Sequence, residues 1–228
     1  MKRILILAVA MLLIAGVAYA AGISGSAHDM RQLYTTAPTG GYAEICIYCH
    51  TPHSAATSGT GTIPLWNRSL QTGASYTVYT SSTFNNTMPG TLNLGSGACM
   101  TCHDGTVAIS ALFNTPNAGG TIGSGGTKTT ADKLVVGAGN EYFGTDLSDD
   151  HPVSINMSTS ITNETAAGAN GLNTVASVNS GGKARLFGTG TPSYVECASC
   201  HNVHNTAFTP FLRSTNAGSL LCLACHNK

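Results

Sequence analysis

The chain has 228 residues, ten of them basic and ten acidic, so it is formally neutral and only 9% charged. An ordinary soluble domain carries about 25% charged residues, and a balance this sparse excludes a protein that coats a nucleic-acid backbone with Lys and Arg. Beyond residue 20 only 37 of 208 residues are Leu, Ile, Val or Phe, a thin apolar supply to set against an ordering cost of about 1–2 kcal/mol per residue, so something besides an aliphatic core must organise the fold.

The N-terminus reads Met1-Lys2-Arg3, then an apolar run over residues 4–20 that ends in Ala18-Tyr19-Ala20. A basic start, an apolar stretch and an A-x-A site are the parts of a secretory signal peptide. The run is at the short limit for a membrane span, which takes about 20 residues. Gly22-Ile23-Ser24-Gly25-Ser26 follows where a basic stop-transfer cluster would stand. The expectation is cleavage after Ala20, export, and a single mature domain over 21–228 with no membrane anchor.

Along the mature chain His28 comes first, in Gly25-Ser26-Ala27-His28-Asp29. Cys46-Ile-Tyr-Cys49-His50 follows, with His53 three residues on, and a short strand is expected around 76–79. Cys99-Met-Thr-Cys102-His103 precedes a segment over 104–150 rich in Gly and Thr, in which a second strand is expected around 133–136. His151 stands in Asp150-His151-Pro152-Val153, and residues 156–193 are rich in Asn, Gly, Ser and Thr. The chain closes with Cys197-Ala-Ser-Cys200-His201, His204 three residues on, and Cys222-Leu-Ala-Cys225-His226. No 3.6-residue period is sustained outside the signal, so long helices are not expected. The Gly-rich stretches lack the Lys-Ser/Thr of a phosphate loop.

All eight cysteines therefore fall in C-x-x-C-H, four times, with none left over. The motif reads as c-type haem attachment: two thiols bond to the edge of the macrocycle, and the adjoining imidazole of His50, His103, His201 or His226 takes the iron. A disulfide scaffold or structural zinc would also use eight cysteines in an exported protein. Neither requires a histidine directly after every pair.

Four haems with six-coordinate iron need four more ligands, and four histidines remain: His28, His53, His151 and His204. His53 and His204 each lie three residues beyond a motif histidine, too near to reach the opposite face of the same ring, so each is expected to serve a neighbouring haem. Proximity along the chain assigns His53 to the haem of His103 and His204 to that of His226, leaving His28 and His151 for the haems of His50 and His201. The domain then holds one haem pair over about 21–110, a second over about 145–228, and the Gly/Thr-rich segment between. Met30, Met88, Met100 and Met157 are rival ligands that would raise the potential; because the histidine count closes, low-potential bis-His irons are expected and the methionines read as packing residues. The fold class is a coil-rich multihaem cytochrome c with a haem-organised core, short helical turns at the motifs and a few small strands.

With these motifs, two of them extended to C-x-x-C-H-x-x-H, and with the segments around His28 and His151, the chain resembles the multihaem c-type cytochromes of the doubled-motif class. Within that class it is most similar to the extracellular tetrahaem subunits that polymerise into nanowires (the OmcE type). The resemblance implies four covalent haems c in a continuous row, and a histidine that crosses to a haem of the next subunit. Either His28 makes that crossing from its Gly/Ser-rich arm, or it ligates the first haem of its own chain. The implied function is non-enzymatic long-range electron transfer in a secreted homopolymer, taking electrons from other cytochromes to extracellular acceptors. The alternatives are a soluble periplasmic shuttle, a multihaem reductase, which would need an open iron position, and a structural filament in which haem only stabilises the fold.

Overall fold

Four α-helices, three 3-10 turns and six two-residue strands make up the regular structure among the described residues. The computed structural model describes residues 22–34, 42, 44–55, 65–70, 76–115, 129–130, 133–135, 141–189, 191 and 193–227. The segment expected to be a signal peptide lies outside them, as does most of the Gly/Thr-rich stretch after residue 115. Among the described residues no helix is long and apolar enough to cross a membrane.

The strands come in three pairs. Thr77–Val78 runs parallel to Asp146–Leu147, Thr129–Thr130 antiparallel to Lys133–Leu134, and Ile155–Asn156 antiparallel to Tyr194–Val195. Two of these fall where strands were expected; residue 136, the far end of the second expectation, lies outside the described residues. Strands this short bury little, and they pin coil in place.

The Leu94–His103 helix carries the second motif in its last two turns. Asn93 precedes it without capping it. The cap comes from elsewhere in the chain: the Glu196 carboxylate accepts from the Ser96 amide at 3.1 Å, offering negative charge to the helix N-terminus. The third motif forms its own short helix, Cys197–Cys200, closed at its start by a capping box between Glu196 and Ser199.

Two helices appear where the composition suggested coil, Met157–Ala166 and Val175–Ser180. Both are started by caps. The Asn156 side chain accepts from the amides of Ser158 and Thr159 at 2.9 and 3.3 Å, and Thr174 accepts from Ser177 at 3.2 Å. Inside the first, Thr162 and Thr165 turn their hydroxyls onto carbonyls four residues back, while Met157, Ser160 and Ile161 face the core at helical spacing.

The apolar side chains gather in two clusters. Tyr42, Tyr48 and Ile109 centre one, with Cys49 and Cys102 packed against it. Ile155, Met157, Val178, Ala184, Leu186, Val195 and Leu221 form the other, with Cys200 and Cys225 against it. Each core thus backs two haem-attachment motifs. Met30 and Met88 pack at the margins, while Met100 and Met157 are buried.

Candidate functional site

Each motif is a single helical turn, which sets its two thiols one turn apart and presents the histidine directly after them. The amide of His50 bonds back to the Cys46 carbonyl at 2.8 Å, that of His201 to Cys197 at 3.1 Å, and that of His226 to Cys222 at 2.9 Å. All eight thiols are free, so no disulfide scaffold is built. Among the described residues no group of three or more His, Cys, Asp or Glu side chains is arranged to hold a bare metal ion.

The thiols of successive motifs are neighbours. Burial, then the nearby Cys102, pushes the Cys49 thiol up to about 11. Cys99 is raised first by its hydrogen bond to Cys197 and then by burial. Cys225 is pushed up to about 11 by burial and then by Cys200 and Cys222. First motif to second, second to third, third to fourth: the order in space follows the order in sequence.

Glu196 joins the middle two. It is 3% exposed and has no cationic partner among the described residues. Its carboxylate accepts from Asn93 Nδ2 at 2.8 Å, from the amide and hydroxyl of Ser96, and from the Ser154 hydroxyl at 3.1 Å. The Ser96 hydroxyl oxygen in turn accepts from the Cys197 amide at 3.1 Å. A Cβ at Gly95 would lie 3.0 Å from Glu196 Cγ, so this approach is available to glycine.

Six imidazoles meet in pairs. His28 and His103 have ring centroids 6.1 Å apart at 48°, His50 and His204 6.1 Å at 24°, and His151 and His226 6.4 Å at 71°. The pairing expected from chain distance is not the one seen. His204 meets His50 and not His226, His28 meets His103, and His151 meets His226 and not the histidine of the first or third motif. His53, expected beside His103, is exposed, as is His201. Among the described residues neither has an imidazole opposite it at this separation.

For His28 the reason is the path of the N-terminal arm. Gly22 runs so close to His204 that a Cβ there would sit 1.9 Å from its carbonyl oxygen. The arm then turns at Gly25 and brings His28 against the Phe211 edge at 4.7 Å. Asp29 fixes the turn: it is 3% exposed, accepts from the Gly25 amide at 2.9 Å, and holds Arg31 through Nε and Nη2, each at 2.7 Å. Arg31 keeps the Asp29 carboxyl well below the usual carboxylate range. Burial, followed by the charges of His103, His201 and His204, lowers His28 to about 4. It is therefore a neutral imidazole at neutral pH, the form that ligates metal.

The donor chemistry fits iron ligation. Nδ1 of His103 lies 2.5 Å from the Glu141 carbonyl, that of His201 2.9 Å from Pro210, and that of His151 2.9 Å from Pro152. A carbonyl only accepts, so each Nδ1 carries the proton and each Nε2 keeps its lone pair, the arrangement typical of a metal-bound histidine. Sequence reading missed Asp29, Arg31 and Glu196. A carboxylate directly before Cys197 was the visible sign of the last.

Residues 192–228, which hold the third and fourth motifs, match the family described as the doubled CXXCH motif. No curated protein matches the chain. The match to that segment, together with the same motif at Cys46 and Cys99, supports a multihaem c-type cytochrome that binds haem c covalently and works in electron transfer.

Proposed function

We propose that this is an exported tetrahaem cytochrome with bis-His irons, a conduit and not an enzyme, which assembles head to tail into an extracellular filament and delivers electrons to external acceptors. One observation carries the reading: the spacing of the three imidazole pairs. Two metal–imidazole bonds of about 2 Å each, with roughly 1 Å more from each nitrogen to its ring centroid, put two axial rings about 6 Å apart. The observed separations are 6.1, 6.1 and 6.4 Å.

In this reading the cysteines anchor each macrocycle at its edge and the paired histidines clamp its iron from both faces. Haem supplies one-electron exchange. The protein orients the sites, holds His103, His201 and His151 in one tautomer through backbone carbonyls, and half-buries His28. Eight histidines for eight axial positions leave no iron open for a substrate, which disfavours a reductase.

After three pairs are formed, His201 and His53 remain, both exposed. His53, and not His28, is therefore the residue we assign to the crossing: His53 of one copy would meet His201 of the next. Such a contact is heterologous and need not close, so it builds a fibre. Negative-stain electron microscopy of the haem-loaded protein recovered outside the cell tests this. The wild type should form long unbranched filaments, and His53→Ala dispersed particles with one high-spin haem in four. Filaments of His53→Ala with four low-spin haems would refute the crossing, and a dispersed wild type would make the chain a soluble shuttle.

A further inference from the structure

Two buried hydrogen-bond donors near the first motif have nothing to bond to. Arg68 is 1% exposed, yet among the described residues its Nε has no partner; the buried Nε1 of the half-buried Trp66 indole has none either. The Arg68 Nη atoms donate to the carbonyls of Ile109 and Ala108, and no carboxylate pairs with the guanidinium among the described residues. The buried carboxylate of Asp104 is engaged by the Tyr76 hydroxyl and by Thr106. A buried cation held only by neutral carbonyls is costly, and an orphaned N–H adds to the cost. Burial at such cost points to an anion absent from the polypeptide.

Position identifies the anion. Trp66 is bridged to His50, its ring 6.0 Å from that imidazole and edge-on. Arg68 is close enough to Cys49 to act on its thiol. The two lie two residues apart on an extended segment and so share a face, while Asn67 between them is fully occupied, donating to the Ile47 and Asn114 carbonyls and accepting from the Asn114 amide. Asn67 ties the segment to the motif, and its two neighbours in the chain carry the unpartnered donors.

We propose that Arg68 Nε and Trp66 Nε1 anchor a propionate of the haem attached at Cys46 and Cys49. The anchor neutralises the guanidinium and places a fixed cation beside that haem alone, which favours its reduced state. This inference rests on the haem reading above, and haem content separates the two failures: a wild-type protein without haem at the first motif defeats that reading, whereas a loaded one tests the anchor.

The test uses the holoprotein labelled with ¹⁵N. Trp66 is the single tryptophan of the chain, so its indole resonance needs no assignment. In the oxidised protein the Trp66 indole and Arg68 Nε–H should both carry a paramagnetic shift that vanishes on reduction, and both should exchange slowly with solvent. Trp66→Phe removes one donor with little change of shape, and Arg68→Gln removes the cation. Each should retain the wild-type haem content while the midpoint of the His50-ligated haem falls, further in Arg68→Gln. The proposal is overturned if both resonances are unshifted and exchange rapidly. It is equally overturned if Trp66→Phe leaves every midpoint where it was, if the change falls on another haem, or if the shifts depend on added phosphate, which would mean a free anion and not a propionate.

Discussion

Asp29 shows how one side chain governs a ligand it does not touch. Its carboxylate fixes the turn behind His28, and no other described contact braces the arm through so many bonds. Asp29→Asn should cost about 1–3 kcal/mol, the worth of hydrogen bonds to a charged group, and should raise the high-spin fraction at the iron opposite His103. The pH dependence has a definite sign. Because the folded pKa is depressed, the Asp29 contribution is complete above about pH 5, where the unfolded carboxyl (about 3.9) is ionised, and it is lost as pH falls below that value towards the folded one. Acid titration of the wild type and Asp29→Asn, followed by thermal unfolding, should show two curves that differ at pH 6 and converge under strong acid. Curves that stay parallel would remove Asp29 from this role.

At the scale of elements, the junction between the second and third motifs depends on Glu196. Replacing it with Ala strands the Asn93, Ser96 and Ser154 donors, an expected loss of about 3 kcal/mol or more; Glu196→Gln keeps one acceptor and should lose less. Denaturant midpoints measure both, and Glu196→Ala unfolding with the wild type would contradict the assignment. The motif turns and two of the strands could be read from sequence because C-x-x-C-H and β-branched runs act locally. The Met157–Ala166 and Val175–Ser180 helices were hidden by their polar composition, although their caps Asn156 and Thr174 stood in plain view. Histidine pairing was not legible at all. Chain distance suggested His204 with His226, whereas the fold sets His204 beside His50, and contacts of Gly22 with His204 and of His28 with Phe211 join the N-terminal arm to a distant part of the chain.

For the molecule as a whole, the motifs form a row in sequence order, linked by the proximity of Cys49 to Cys102, Cys99 to Cys197 and Cys200 to Cys225. Both apolar clusters are packed against cysteines of this row; on the proposed reading haems bound there would complete the core of a chain so poor in aliphatic side chains. The proposed conduit has every iron closed by two imidazoles, which leaves no position open for a substrate. Low-temperature electron paramagnetic resonance of the fully oxidised, assembled protein, quantified per chain, tests that most directly. The account predicts four low-spin irons and no high-spin signal. It also predicts that the near-parallel His50–His204 rings (24°) give a rhombic spectrum and the near-perpendicular His151–His226 rings (71°) a strongly anisotropic one. High-spin intensity in the assembled protein, or fewer than four haems per chain, would contradict it.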